Sequence, residues 1–78
     1  MKAWQLVEKG WCQHVFSDRR GGYCASGAIH SVYLTTKKIV TAQRKLMKAL
    51  GGQRISHWND DPNRTQAEVV AMMRKAGV

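Results

Sequence analysis

The chain has 78 residues and sets 13 Lys and Arg against 5 Asp and Glu, a formal charge of +8. That length holds one domain, residues 1–78, with a small core and no room for separate catalytic and regulatory parts. Hydrophobic residues make up 44% and there is one Pro, which excludes a disordered basic tail, while the charge excess asks for an acidic partner.

No segment reads as a membrane span or a leader. The longest stretch free of Lys, Arg, Asp and Glu, Gly21 to Thr36, is broken by His30, Ser26, Ser31 and Thr35 and falls short of the ~20 apolar residues a bilayer needs. At the start, Glu8 and Lys9 interrupt any apolar leader core. A cytoplasmic protein is expected, with no membrane partner, and Cys12 and Cys24 as free thiols.

Trp4, Val7 and Trp11, with Ala3 and Leu6 beside them, recur at the spacing of a short helix with one buried stripe, ended by Gly10. Ser17 to Gly22 (SDRRGG) is a chain reversal, with room for a hairpin pairing Val15-Phe16 with Tyr23. From Cys24, the residues Ala25, Ala28, Ile29, Val32 and Tyr33 share a second helical face. Gly27 sits on it where close helix packing favours a missing side chain. Thr35-Thr36 stops this helix and caps the next.

Lys37 to Leu50 has the clearest pattern. At 100° per residue Ile39, Val40, Gln43, Leu46, Met47 and Leu50 fall within about 120° of arc, and Lys37, Lys38, Thr41, Arg44, Lys45 and Lys48 fill the other side. Gly51-Gly52 closes it. Gln53 to Arg64 reads as a loop carrying the only Pro. Thr65-Gln66-Ala67-Glu68 is a capping box, and a last helix follows with Val69, Met72, Met73 and Ala76 as its stripe, Arg74 and Lys75 at its negative end, and Gly77 as its stop. The expected fold is all-α, a small bundle of about four short helices with two ordered loops.

The cationic side of the third helix is the strongest functional feature. Lys37, Arg44, Lys45 and Lys48 are the expected binding residues, with Arg19, Arg20, Arg54 and Arg64 extending the patch from loops and Arg74 and Lys75 joining from the last helix. A solvated face kept for solubility is the plain alternative. Against it, no Glu alternates along this side, whereas a helix stabilised only for itself mixes signs through i,i+4 pairs. Neither a helix-turn-helix, an aromatic RNA-recognition signature nor a Gly-rich phosphate loop is present.

Cys12, His14, Cys24, His30 and His57 are soft ligands, but their spacing matches no zinc motif and no metal or cofactor is expected. The alternative to a binding protein is a thiol- or metal-dependent activity centred on Cys24. In it, a helix start would lower the thiol pKa and His57 with Asn59 or Asp60 would supply a base and its orienter. Trp58 is open to two roles, an exposed anchor for a partner or, more often for a Trp between amphipathic helices, a plug closing the end of the core.

Three blocks, Gly10-Trp11-Cys12-Gln13, Tyr23-Cys24-Ala25-Ser26-Gly27-Ala28-Ile29 and Trp58-Asn59-Asp60-Asp61-Pro62-Asn63-Arg64-Thr65-Gln66-Ala67-Glu68-Val69, resemble a family of small uncharacterised helical proteins of bacteria and their phages. The resemblance runs along nearly the whole chain and brings no assigned activity. It implies a phage or mobile-element setting, where small cationic domains bind and block host machines, CRISPR surveillance complexes among them. The expectation is a non-enzymatic protein with no catalytic residue. It would engage nucleic acid, a host protein or a nucleoprotein complex through an acidic surface, with its oligomeric state left open.

Overall fold

A computed structural model describes residues 1–78 and contains five helices: α1 (Ala3–Lys9), α2 (Ala25–Val32), α3 (Thr36–Ala49), α4 (Ile55–Asn59) and α5 (Gln66–Ala76). The all-α expectation holds; the count of about four rises to five. Helix α4 lies inside the segment expected to be a loop. Its five residues are too few to show a period, yet Ile55 and Trp58, three apart, both turn inward at 6% exposure. No helix is long and apolar enough to cross a membrane.

Helix α1 packs on α2 and α5, α3 lies against α5 and α2, and α4 closes the end between α2 and α3. Ile29, Leu46, Val7, Val69 and Met73 are fully buried where these helices meet. The last residue completes the core: Val78 is buried, and its main-chain oxygen accepts from the Ala3 N–H at 2.7 Å and the Tyr33 hydroxyl at 3.2 Å.

Each capping expectation has a visible hydrogen bond. Thr35 Oγ1 accepts from the Lys38 N–H at 3.2 Å. In α5 Thr65 Oγ1 accepts from the Glu68 N–H at 3.2 Å, and Glu68 Oε1 accepts from the Thr65 N–H at 3.0 Å, so two otherwise free donors are met reciprocally. Gly77 ends α5 at φ +79, left-handed backbone that favours glycine.

The register of α3 departs from expectation. Its buried residues are Ala42 and Leu46, with Leu50 just beyond, while Val40 and Met47 are only half-buried. The core-facing arc is therefore turned toward Ala42, about 60° from Ile39. A small residue contributes little to a hydropathy pattern but lets neighbouring backbones come close.

The segment between α1 and α2 is a tied loop. Trp11 belongs to no helix; it pairs in parallel with Tyr23, and Tyr23 pairs antiparallel with Ser17, not with Val15-Phe16. Val15 and Phe16 are exposed instead. Asp18 Oδ1 accepts from the N–H groups of Arg20 and Gly22, which makes the reversal. Gly27 lacks a side chain for a different reason from the one expected: a Cβ there would lie 2.0 Å from the Phe16 carbonyl oxygen, so the glycine admits the loop and not another helix.

Candidate functional site

Lys37, Arg44, Lys45 and Lys48 are all exposed on α3. None has an ionic partner, since the molecule's ion pairs are His14–Asp60 and Arg64–Glu68. Lys37 and Lys45 turn toward a groove of ≈ 520 Å³ floored by Tyr33, Ala42 and Val78, where Lys2 and Lys38 join them. Arg44 and Lys48 do not line this groove and form its outer flank on α3. Lys2, 35 positions from Lys37 along the chain, was not among the expected residues. Only the packing of α1 and α3 on α5 reveals it, its Nζ donating to the Gly77 carbonyl at 3.2 Å.

The loop arginines do not extend this groove. Arg19 and Arg20 are exposed on the Asp18–Gly22 turn, which is tied to the loop before α2. Arg54 lines a separate shallow depression with His57, Asp60 and Asp61, where carboxylates offset its charge. Arg64 and Arg74 are structural. The Arg64 guanidinium lies 4.1 Å over the Trp58 ring, donates to the Trp58 carbonyl at 3.0 Å and pairs with Glu68 at 3.3 Å, while Arg74 covers Trp4 at 4.6 Å. Trp58, at 6% exposure and capped by Arg64, closes the core; the exposed-anchor expectation is corrected, because its ring offers no free face.

The acidic residues explain why α3 stays unneutralised. Asp18, Asp60, Asp61 and Glu68 each accept from backbone N–H groups of turns or caps, those of Gly22, His14, Asn63 and Thr65. The fifth, Glu8, lies beside Arg74 between α1 and α5.

The Trp58-Asn59-Asp60-Asp61 block clips the loop before α2 onto α4. Asn59 is fully buried and satisfied on every side. Its Oδ1 accepts from Trp11 Nε1 at 2.9 Å and the Ala25 N–H at 3.1 Å, and its Nδ2 donates to the Cys12 carbonyl at 3.2 Å and Asp60 Oδ1 at 3.0 Å. Gln13 Nε2 donates to the carbonyls of Asn59 and Asp61, and the His14 N–H to Asp60 Oδ1 at 2.9 Å. That last bond holds His14 at φ +72, an uncommon conformation for a residue with a side chain. Burial alone would raise the Asp60 pKa, but the bonds from His14 and Asn59, with the nearby charges of His14 and His57, outweigh it and hold the carboxyl below its ordinary value. Sequence reasoning offered Asn59 as an orienter for His57 or as the maker of local turn bonds, and not as the anchor of this loop.

The arrangement around Cys24 is not that of an activated nucleophile. Cys24 caps α2, its sulfur accepting from the Gly27 N–H at 3.2 Å. Burial raises its pKa and outweighs the amides of Gly27 and Ser26, the reverse of the expected lowering. His57 is exposed on α4 and forms no hydrogen bond with either thiol. The soft ligands are dispersed: His14 faces Asp60, His30 stacks on Phe16 with centroids 5.1 Å apart, and no three His, Cys, Asp or Glu side chains converge.

No curated protein and no solved structure matches the chain. A family model does, over residues 2–77, and its description is "Family of unknown function (DUF6197)". The match takes in the three blocks that carried the resemblance, together with both rims of the lysine groove. The chain belongs to this uncharacterised family.

Proposed function

We propose that the protein is a non-enzymatic binder of polyanions, which docks the α3 cations onto the phosphate backbone of nucleic acid or of a nucleoprotein complex. One observation carries this: Lys2, Lys37, Lys38 and Lys45 surround one open groove with no carboxylate side chain among its lining, and Arg44 and Lys48 continue the charge unpaired. Four lysines held together with no acidic side chain between them attract a phosphate backbone, and the cations condensed on that backbone are released as the lysines replace them, which drives such binding. The groove is open and shallow, which suits a surface contact and not an enclosed substrate.

In its concrete biological form, the protein is a phage or mobile-element product that occupies the nucleic-acid-binding site of a host defence complex, a CRISPR surveillance complex being the example. The small cationic domain and the resemblance stated above support that setting. The test is affinity capture from bacterial lysate, with and without nuclease, comparing the wild type with the Arg44→Glu, Lys45→Glu, Lys48→Glu triple variant. Capture of nucleic acid or of a nucleoprotein complex that the triple variant loses supports the proposal. Capture unchanged by the triple variant refutes the binding face.

A further inference from the structure

Two thiols remain outside this proposal, and the backbone brings them together. The parallel pairing of Trp11 with Tyr23 places Cys12 and Cys24 one residue on in the same register, and residues in register on a parallel pair carry side chains on one face. The Cys12 N–H donates to the Tyr23 carbonyl at 3.3 Å. One trans peptide separates that carbonyl from the Cys24 Cα, and residues in register on neighbouring strands lie about 5 Å apart. Disulfides span roughly 4.4 to 6.8 Å between Cα atoms. The sulfurs hold only weak contacts, Cys12 Sγ with the Val15 carbonyl at 3.4 Å and Cys24 Sγ with the Gly27 N–H at 3.2 Å, and neither is bonded to another residue.

We propose that Cys12 and Cys24 are a disulfide-forming pair, closed by exchange with a low-molecular-weight disulfide. Their exposure sets the order of events: Cys12 is half-buried and Cys24 is 5% exposed. The Cys12 thiolate attacks one sulfur of the small disulfide and expels the other half as a thiolate, which takes up a proton. The Cys24 thiolate then attacks Cys12 Sγ in the mixed disulfide and expels the second half. Two protein thiols are oxidised to one disulfide, and one small disulfide is reduced to two thiols. The closed ring runs from Cys12 to Cys24 and holds the Asp18–Gly22 turn and the segment clipped by Asn59. Oxidation thus fastens covalently what three hydrogen bonds from Trp11, Cys12 and Ala25 to one buried amide fasten in the reduced protein.

The test treats the folded, reduced protein with oxidised glutathione and reads intact mass, free thiols and non-reduced tryptic peptides. The expected product is a monomer about 2 Da lighter than the reduced chain, with both alkylatable thiols lost and the peptide Gly10–Arg19 joined to Gly21–Lys37. Cys24→Ser stops at a glutathione adduct on Cys12, and Cys12→Ser stays unmodified until urea exposes Cys24. A wild type that halts at the adduct with Cys24 still alkylatable, that crosslinks two chains, or that does not react while folded overturns the proposal.

Discussion

Neutralising the groove has a magnitude that follows from counting its lysines. If Lys2, Lys37, Lys38 and Lys45 each neutralise one phosphate of duplex DNA, log K falls with log salt at a slope of about −3.6. Between 50 and 200 mM salt the affinity then drops roughly 150-fold. Lys37→Gln with Lys45→Gln leaves two contacts, a slope of about −1.8 and a drop of roughly 12-fold over the same range. Both side chains are exposed and unpaired, so the fold should keep its stability within about 0.5 kcal/mol. Fluorescence anisotropy of a labelled 20-base-pair duplex, titrated at four salt concentrations, measures both slopes. Arg19→Gln with Arg20→Gln is the control, because these residues lie on a turn away from the groove and should leave the slope unchanged. Equal slopes for wild type and the lysine variant, or a reduced slope for the arginine variant, would refute the assignment of the contacts.

Three further outcomes test the scaffold. Asn59→Ala removes four hydrogen bonds and strands Trp11 Nε1, the Ala25 N–H and the Cys12 carbonyl; a loss of about 3 kcal/mol or more in urea denaturation is expected, and a loss under 1 kcal/mol would show that the clip is not what holds the loop. Gly27→Ala forces a Cβ against the Phe16 carbonyl oxygen, so it should destabilise by about 1–3 kcal/mol, with hydrogen exchange rising first at the Cys24 amide that donates to that carbonyl. Asp60 has its folded pKa held below the ordinary 3.8, so the unfolded chain takes up its proton first as pH falls. Its stabilisation is complete above the unfolded value and is lost as pH drops below about 4 toward the folded value; thermal melts of Asp60→Asn should show a weaker acid dependence than the wild type in that window.

Much of the fold was legible where hydrogen-bonding chemistry is local. Thr65 with Glu68, Thr35 before the third helix and Gly77 after the last each solve a problem within one helical turn, and each sits where its residue type predicts. Legibility failed where the decisive partner is distant in sequence. Helix α4 depends on Ile55 and Trp58 finding a core made by α2 and α3, and Gly27 is explained only by a carbonyl eleven residues earlier. Asn59 looks like a turn residue until its partners at Trp11, Cys12 and Ala25 are in place. At the proposed site, periodicity marked Lys37 and Lys45 as neighbours, but the core-facing rotation toward Ala42 decides that Lys38 turns to the groove while Arg44 and Lys48 flank it. Lys2 carries no local signal at all.

The N-terminus of α3 offers a test of binding against mere solubility. Thr35 caps this helix as Thr65 caps α5, but where α5 has Glu68 to complete a capping box, α3 has Lys38. Lys37 and Lys38 both sit in the first turn, at the positive end of the helix dipole, which disfavours cations. Arg44 and Lys48, four apart, add a like-charge repulsion of a few tenths of a kcal/mol. Lys38→Glu should therefore complete the box with Thr35, reverse the dipole interaction and stabilise the protein by about 1 kcal/mol, a rise of roughly 4–8 °C in melting temperature for a domain of this size. The same change puts a carboxylate into the lysine groove and should cost at least tenfold in affinity for the labelled duplex. A cation kept against the helix's own preference is what a binding surface requires, and a solubilising one has no use for it. If Lys38→Glu melts higher and binds the duplex as tightly as the wild type, the groove is not the contact surface. If it melts lower, the electrostatic account of α3 fails at its first turn.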